Sequence, residues 1–265
     1  MHLEPDGSFE IIASPDHHDG NWIKLDPSQD RMMFLVREAF YDWANERPSL
    51  LRIERVAATP PAPIQWSEAE LIKRMEQAGR FLKYMVDDWS LGVFDRTLSF
   101  AKGEKNVFVW PQYAANSGAN HAARYYSMVY DIGPDEVLII ETETPTSKFW
   151  NFCQADRWIR LTDYTYHQSS LNGHQAHIDS DGKFRAVISR VDPGVPNWLD
   201  KGDYPWGIIQ MRWNHADAYP DPTITLVPLA EVRDHLPADT PVVTPEERAE
   251  QLRARREAVQ LRRIW

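Results

Sequence analysis

One cysteine, Cys153, stands in 265 residues, so no intrachain disulfide can form, nor a zinc site built from two or more cysteines of one chain. No apolar run approaches the roughly 20 residues a membrane helix needs. The opening Met1-His2-Leu3-Glu4-Pro5 is not a signal peptide, so a reducing cytoplasm is the expected location. Gly-x-Gly-x-x-Gly, Walker and Gly-x-Ser-x-Gly motifs are all missing. Hydride transfer on a nucleotide-binding fold and ATP chemistry are therefore not expected, and no cofactor is. Basic residues are outnumbered, 29 to 39, for a net charge of −10. An acidic surface argues against nucleic acid and anionic membrane as main partners.

The rest of the composition is that of a globular domain, 43% hydrophobic and 26% charged. Eleven Trp and ten Tyr against twelve Gly suit either an aromatic core or the walls of a pocket. Strand patterns are read at residues 8–13, 31–41 and 50–56, then after a proline-rich linker at 57–63 a helix over about 68–89. Ser67 and Glu70 form a capping box at its start, and Leu71, Met75, Ala78, Leu82, Met85 and Trp89 make an apolar stripe that should be buried or form a dimer interface. Further strands are expected at 107–110, 125–132, 137–142, 149–153, 184–189, 208–213 and 224–227. Asn172-Gly173 reads as a hairpin turn. Thr244-Pro245-Glu246-Glu247 opens a charged C-terminal helix running through 248–263, solvated and laid across the body. The organisation is then a first β unit at 1–60, linker and helix at 61–124, a second β unit at 125–240 and the terminal helix at 241–265.

The most informative feature is a repeat. His2, Asp6, Gly7, Phe9 and Ser14 recur 175 residues on as His177, Asp181, Gly182, Phe184 and Ser189. Asn21-Trp22 meets Asn197-Trp198 after a one-residue insertion. The offset returns to 175 for Arg37 and Arg212, Asp42 and Asp217, and Leu51 and Leu226. The fold class expected is mainly β: two pseudo-repeated antiparallel units, sandwich-like or jelly-roll-like, with one internal helix and a C-terminal helix. Strands precede the second unit, but nothing precedes the first. Either the numbering starts partway through a larger protein, or the first half is smaller. A bare strand edge at 8–13 is expected to be covered by 107–110, a second chain or upstream sequence.

Several segments carry a resemblance. Trp150-Asn151, Asp163-Tyr164-Thr165-Tyr166, Ser170-Leu171-Asn172, Asp181-Gly182-Lys183-Phe184, Asp192-Pro193-Gly194-Val195-Pro196-Asn197-Trp198-Leu199 and Met211-Arg212-Trp213 are similar to the bacterial family called domain of unknown function 1214. The match covers about 125–265. It implies a β-rich, sandwich-like fold and no particular reaction. Members of that family usually carry sequence ahead of the first unit.

Candidate chemistry is sparse. His174 and His177, three apart, fall on opposite faces of a strand, and His17-His18 sit in a loop, so no metal site is expected. Cys153 reads as a structural cysteine. Arg37 and Arg212 lie within apolar stretches and would need a carboxylate or a bound anion if buried. Asp42 and Asp217, five residues beyond each, are the expected partners; the four form either a duplicated brace or a catalytic clamp. Aromatic walls are expected from Trp150, Trp158, Tyr164, Tyr166, Trp206 and Trp213, with amide contacts from Asn151, Asn172 and Asn197. Two functions fit: a cofactor-independent acid/base or lyase-type enzyme on a bulky oxygenated molecule such as a sterol, terpenoid or aromatic metabolite, and a non-catalytic small-molecule or carbohydrate binder. The expected partner is that small molecule, with a homo-oligomer as a further expectation.

Overall fold

In the computed structural model, residues 1–29, 32, 34–56, 65–110 and 123–262 are described; the expected linker at 57–63 lies outside them. The fold is mainly β, with an internal and a C-terminal helix. The chain divides into two units, Met1–Ala39 and Phe40–Trp265.

The first unit holds two short strands, β1 (Ile12–Ser14) and β2 (Trp22–Lys24), paired in parallel with Ile12 opposite Trp22. Asp6-Gly7 makes the expected turn: the Asp6 carboxylate accepts from the Ser8 amide, and Gly7 takes φ 85°. The strands expected at 31–41 and 50–56 do not form among the described residues. Their residue types favour extended backbone, but a strand is stable only against a neighbour that completes its ladder. Leu50, Ile53 and Val56 are 95%, 97% and 99% exposed.

The second unit is a sandwich of two four-stranded sheets. Its strands are β3 (Ala123–Asp131), β4 (Glu136–Glu143), β5 (Ser147–Ala155), β6 (Ser170–Asn172), β7 (Lys183–Ser189), β8 (Trp198–Asp200), β9 (Trp206–Ala216) and β10 (Thr223–Pro228). One sheet runs β10-β4-β7-β8, the other β3-β9-β5-β6; only β7 and β8 pair in parallel. Tyr126, Met128, Trp150, Phe152, Met211 and Trp213 from the second sheet meet Leu138, Ile140, Phe184 and Ile188 from the first. Burying each such side chain stabilises the fold by roughly 1.5–3 kcal/mol.

The two sheets differ in sequence for a physical reason. Strand β4 reads Val-Leu-Ile-Ile without a polar break because both its faces are covered. Leu138 and Ile140 enter the central core, whereas Val137 and Ile139 pack with Val187, Trp198, Val232 and Leu236 on the other side. The 3-10 helix Leu229–His235 supplies Val232 to that cover. In the second sheet, β5 and β9 alternate, so one face is core and the other polar.

Three expectations need correction. Asn172-Gly173 is not a hairpin: β6 pairs with β5, while β7 lies in the other sheet. Asn172 instead accepts from the amides of His174 and Gln175. Glycine is required at 173 by crowding, because a Cβ there would lie 2.5 Å from Trp150 Nε1 and 2.3 Å from Tyr41 Oη. The internal helix begins at the expected capping box as α1 (Glu68–Tyr84), passes through a π-helical turn at Met85–Leu91 and continues as α2 (Gly92–Phe100). No residue of α1 is buried, so Leu71, Met75 and Leu82 of the expected stripe stand exposed within one chain. Residues 107–110 form no strand; Val109 makes a single bridge to Ser127 of β3. The terminal helix α3 (Pro245–Leu261) keeps its capping box and, as expected, lies across the body. Arg248 and Arg255 are buried on its inner face, and Arg248 ties it to Asp192 and the Val195 carbonyl.

Gly207 fixes where β9 crosses its neighbours. It sits opposite Tyr130, and a Cβ there would lie 2.3 Å from the Ala155 carbonyl oxygen and 2.6 Å from Tyr130 Oη. A backbone carbonyl in a central ladder has little room to retreat. Gly207→Ala is expected to destabilise by about 1–3 kcal/mol, measured by urea denaturation. Parental stability in that variant would contradict the close approach of β5 to β9.

Candidate functional site

The outer face of the second sheet carries two polar rows. Across β6, β5, β9 and β3, one row reads Asn172, Asn151, Arg212 and Tyr125, each directly opposite the next. The adjacent row on the same face reads Ser170, Cys153, Gln210 and Ser127. Between them, pointing the other way, lie Leu171, Phe152, Met211 and Tyr126 of the core. Strict alternation along four strands thus builds a polar floor on the back of an apolar core.

The rims of this floor are covered and its middle is half-buried. At one rim the Asn172 amide donates to the carbonyls of Phe40 and Tyr41, and Ser170 lies under Arg255 of α3. At the other, Ser127 is buried beneath the Val109 bridge. In the middle, Arg212 Nη2 donates to Gln210 Oε1 at 2.6 Å, and its Nη1 lies 3.6 Å from Cys153 Sγ. Asn151 Nδ2 also reaches Cys153 Sγ, at 2.9 Å, while Asn151 Oδ1 finds no protein partner among the described residues.

Arg255 is the unusual group. It is buried, yet its described hydrogen-bond acceptors are all neutral. Its Nε donates to the Tyr164 carbonyl, Nη1 to the Ser170 carbonyl and Nη2 to Ser170 Oγ. The guanidinium lies 4.4 Å from the centre of the Trp43 ring. Burial pulls its pKa down to about 10, so it remains a cation at neutral pH. Among the described residues, no carboxylate lies within 4 Å of Arg212 or Arg255.

The other expected site residues scatter. Asp217 is exposed and does not pair with Arg212; the turn after β9 directs its amide to the Thr146 carbonyl. Arg37 is exposed and lies on no strand. Asp42 caps a local turn through the amides of Ala44 and Asn45. The segment holding Arg37 lacks, among the described residues, the sheet that would bury it. Trp150 and Trp213 belong to the core, their rings 5.3 Å apart. Asn197 is buried and structural: it ties the His177 and Arg185 carbonyls together. Trp206 packs on Phe94, while Trp158, Tyr164 and Tyr166 are exposed. These aromatics therefore do not converge on one cleft.

Arg185, not singled out in the sequence, centres a second charged cluster with Asp179, Asp181 and Glu141. The cavity beside it holds about 10 Å³, no more than one water molecule. It is a brace, with no room for a ligand. Among the described residues, no group of three His, Cys, Asp or Glu is placed to hold a metal.

No family model matches the chain, and no curated protein matches it. It is similar to the crystal structure of an uncharacterized protein from Burkholderia cenocepacia, with 28% identity and a TM-score of 0.71. That match covers 87% of this chain and 62% of the other, so the chain spans less than two thirds of its neighbour's length. The VPA0106 protein from Vibrio parahaemolyticus matches over 63% of this chain and 47% of its own, at 18% identity and a TM-score of 0.36, too low to bear on the fold. No described helix is long and apolar enough to cross a membrane.

Proposed function

We propose that the chain is a small-molecule-binding domain whose polar floor takes the anionic end of an oxygenated ligand. One observation carries this reading: two guanidiniums, Arg212 beside Cys153 and Arg255 on the neighbouring Ser170, stand on one row of the floor, and among the described residues no carboxylate lies within 4 Å of either. Arg255, held out of water, calls for a counter-charge, and a carboxylate or similar oxyanion fits the planar fork of either arginine. Asn151 and Gln210 stand beside Arg212 as further polar contacts.

Binding is preferred to catalysis. The acid/base pairs expected from the sequence, Arg212 with Asp217 and Arg37 with Asp42, supply no acid poised over the floor. A bulky sterol-like or terpenoid ligand has also lost the support of an aromatic cleft, since Trp150 and Trp213 are core. The same proposal keeps the kinship with the bacterial family named above, resting on the segment 192–199, and a cytoplasmic location. Self-association through the exposed α1 stripe belongs to it as well.

The test uses benzoate, decanoate and inorganic phosphate as probes in thermal unfolding and calorimetry. A probe at about 100 times its Kd should stabilise the chain by about 2.7 kcal/mol. Arg212→Gln should weaken binding at least about tenfold, near 1.4 kcal/mol, while folding normally. If none of the three shifts the transition, or Arg212→Gln binds as well as the parent, the reading fails.

A further inference from the structure

The sequence repeat is a structural one, hydrogen bond by hydrogen bond. In the second copy, Asp179 N donates to the Lys183 carbonyl and Gly182 N to the Asp179 carbonyl. In the first, Glu4 N donates to the Ser8 carbonyl and Gly7 N to the Glu4 carbonyl, each 175 residues earlier. Asn197 Nδ2 donates to the carbonyls of His177 and Arg185; Asn21 Nδ2 donates to those of His2 and Glu10. Trp198 Nε1 meets the Ser189 carbonyl at 3.3 Å, and Trp22 Nε1 meets that of Ser14 at 3.3 Å. The parallel registers coincide too, Val187 on Trp198 and Ile12 on Trp22.

The copies differ in what lies beside them. Strand β7 is covered by β4, antiparallel, with Glu141 opposite Arg185 and Ile140 opposite Ala186. Among the described residues, strand β1 has only β2 in its sheet. Ile12 N and the Ser14 carbonyl bond toward β2 and its continuation, so the alternate groups of Ile11 and Ala13 face the other edge. Downstream, the segments aligned with β9 and β10 carry Phe34, Leu35, Val36, Leu50 and Ile53, all exposed, and Val56 just beyond them is exposed too. Among the described residues these strand sequences have no sheet. The matching positions of the second copy are ordered by β3, β4 and β5, which have no counterpart in 2–56.

We infer that residues 2–56 are the β7-to-β10 half of a second sandwich. The open edge of β1 receives a segment with the pattern of β3–β6, joined ahead of His2 as β6 is joined to β7. Its β4-like strand lies antiparallel on β1 in the register of β4 on β7. Glu10 holds the place of Arg185, so the residue opposite Glu10 is basic where Glu141 is acidic. A second copy of β1 is a poorer occupant, because it brings two Glu10 carboxylates onto one short edge. The Burkholderia neighbour has more than a third of its length outside the match, which leaves room for such a segment in a related chain.

The test is a tandem chain with a second copy of residues 123–176 placed directly ahead of His2, bearing Glu141→Lys in the added copy. Hydrogen exchange at Ile11 and Ala13 should slow about 100-fold relative to the parent, with Leu51 and Ile53 gaining protection and the chain monomeric by light scattering. Introducing Ala13→Pro removes an edge-facing amide and should abolish the gain at Ile11. Unchanged exchange at Ile11, with β3–β10 still protected, overturns the inference. So does a parent chain in which Ile11 and Ala13 become protected as it dimerises, since the edge would then belong to a second copy.

Discussion

Replacing Arg185 with alanine is expected to cost about 3–5 kcal/mol, because it strands the buried Asp179 carboxylate rather than merely deleting a contact. The guanidinium is 9% exposed on β7 and serves three acids: Glu141 at 2.7 Å, Asp179 at 2.7 Å and Asp181 at 2.6 Å. The Asp179 side chain is only 4% exposed, so it would be left charged and dry. The cluster also sets an acid limit. The hydrogen bond from Arg185 holds the Asp181 carboxyl down to about 2, and that from Lys183, with Arg185 behind it, lowers Glu141. Groups whose pKa is depressed by folding stabilise the native state above their unfolded values, near 4, and lose that contribution as the pH falls through the folded ones. The parent should therefore hold its Tm down to about pH 5 and lose stability from about pH 4 toward pH 2. Arg185→Ala should start lower and fall less steeply over that interval. Urea denaturation at pH 7 and pH 3 measures both; a loss under about 1 kcal/mol at pH 7 would show that the acids relax into solvent.

Much of the sandwich was legible because its strands carry their environment in their spelling. The Val-Leu-Ile-Ile of β4 announces two covered faces, and the capping boxes at Ser67 and Thr244 mark helix starts that the structure keeps. Residues 34–41 and 50–56 are spelled the same way yet form no strand, since a ladder needs a partner that propensity cannot supply. The repeat was legible in its turns and its Asn-Trp pair, which act locally, and misleading at Arg37, whose burial depends on distant strands. At the site, the repeat pointed to Arg212 but to the wrong partner. The odd–even parity of β5 and β9 already separated Asn151 and Arg212 from Trp150 and Trp213; reading all four as one cleft ignored it. Arg255 left no signal, because a basic residue on a charged helix looks solvated until the helix is docked.

That parity has a measurable consequence at Trp213. The side chain is fully buried, with Trp150 beside it and Arg212 on the opposite face of the same strand. If Trp213 were a ligand wall, removing it would weaken binding at little cost to folding. As a core residue, Trp213→Ala should instead cost about 3–5 kcal/mol, from lost burial and the cavity left between rigid sheets. Its indole Nε1 finds no protein partner among the described residues, so the ring is held by packing alone. Trp213→Phe keeps most of that packing and removes a buried donor whose desolvation is uncompensated, so it should cost distinctly less than the alanine variant. The discriminating comparison is with Arg212→Gln, one residue away. Trp213→Ala should lower the unfolding free energy and leave the affinity of the remaining folded protein for a carboxylate unchanged, whereas Arg212→Gln should do the reverse. A Trp213→Ala protein of parental stability would place the indole outside the core and return it to the binding surface.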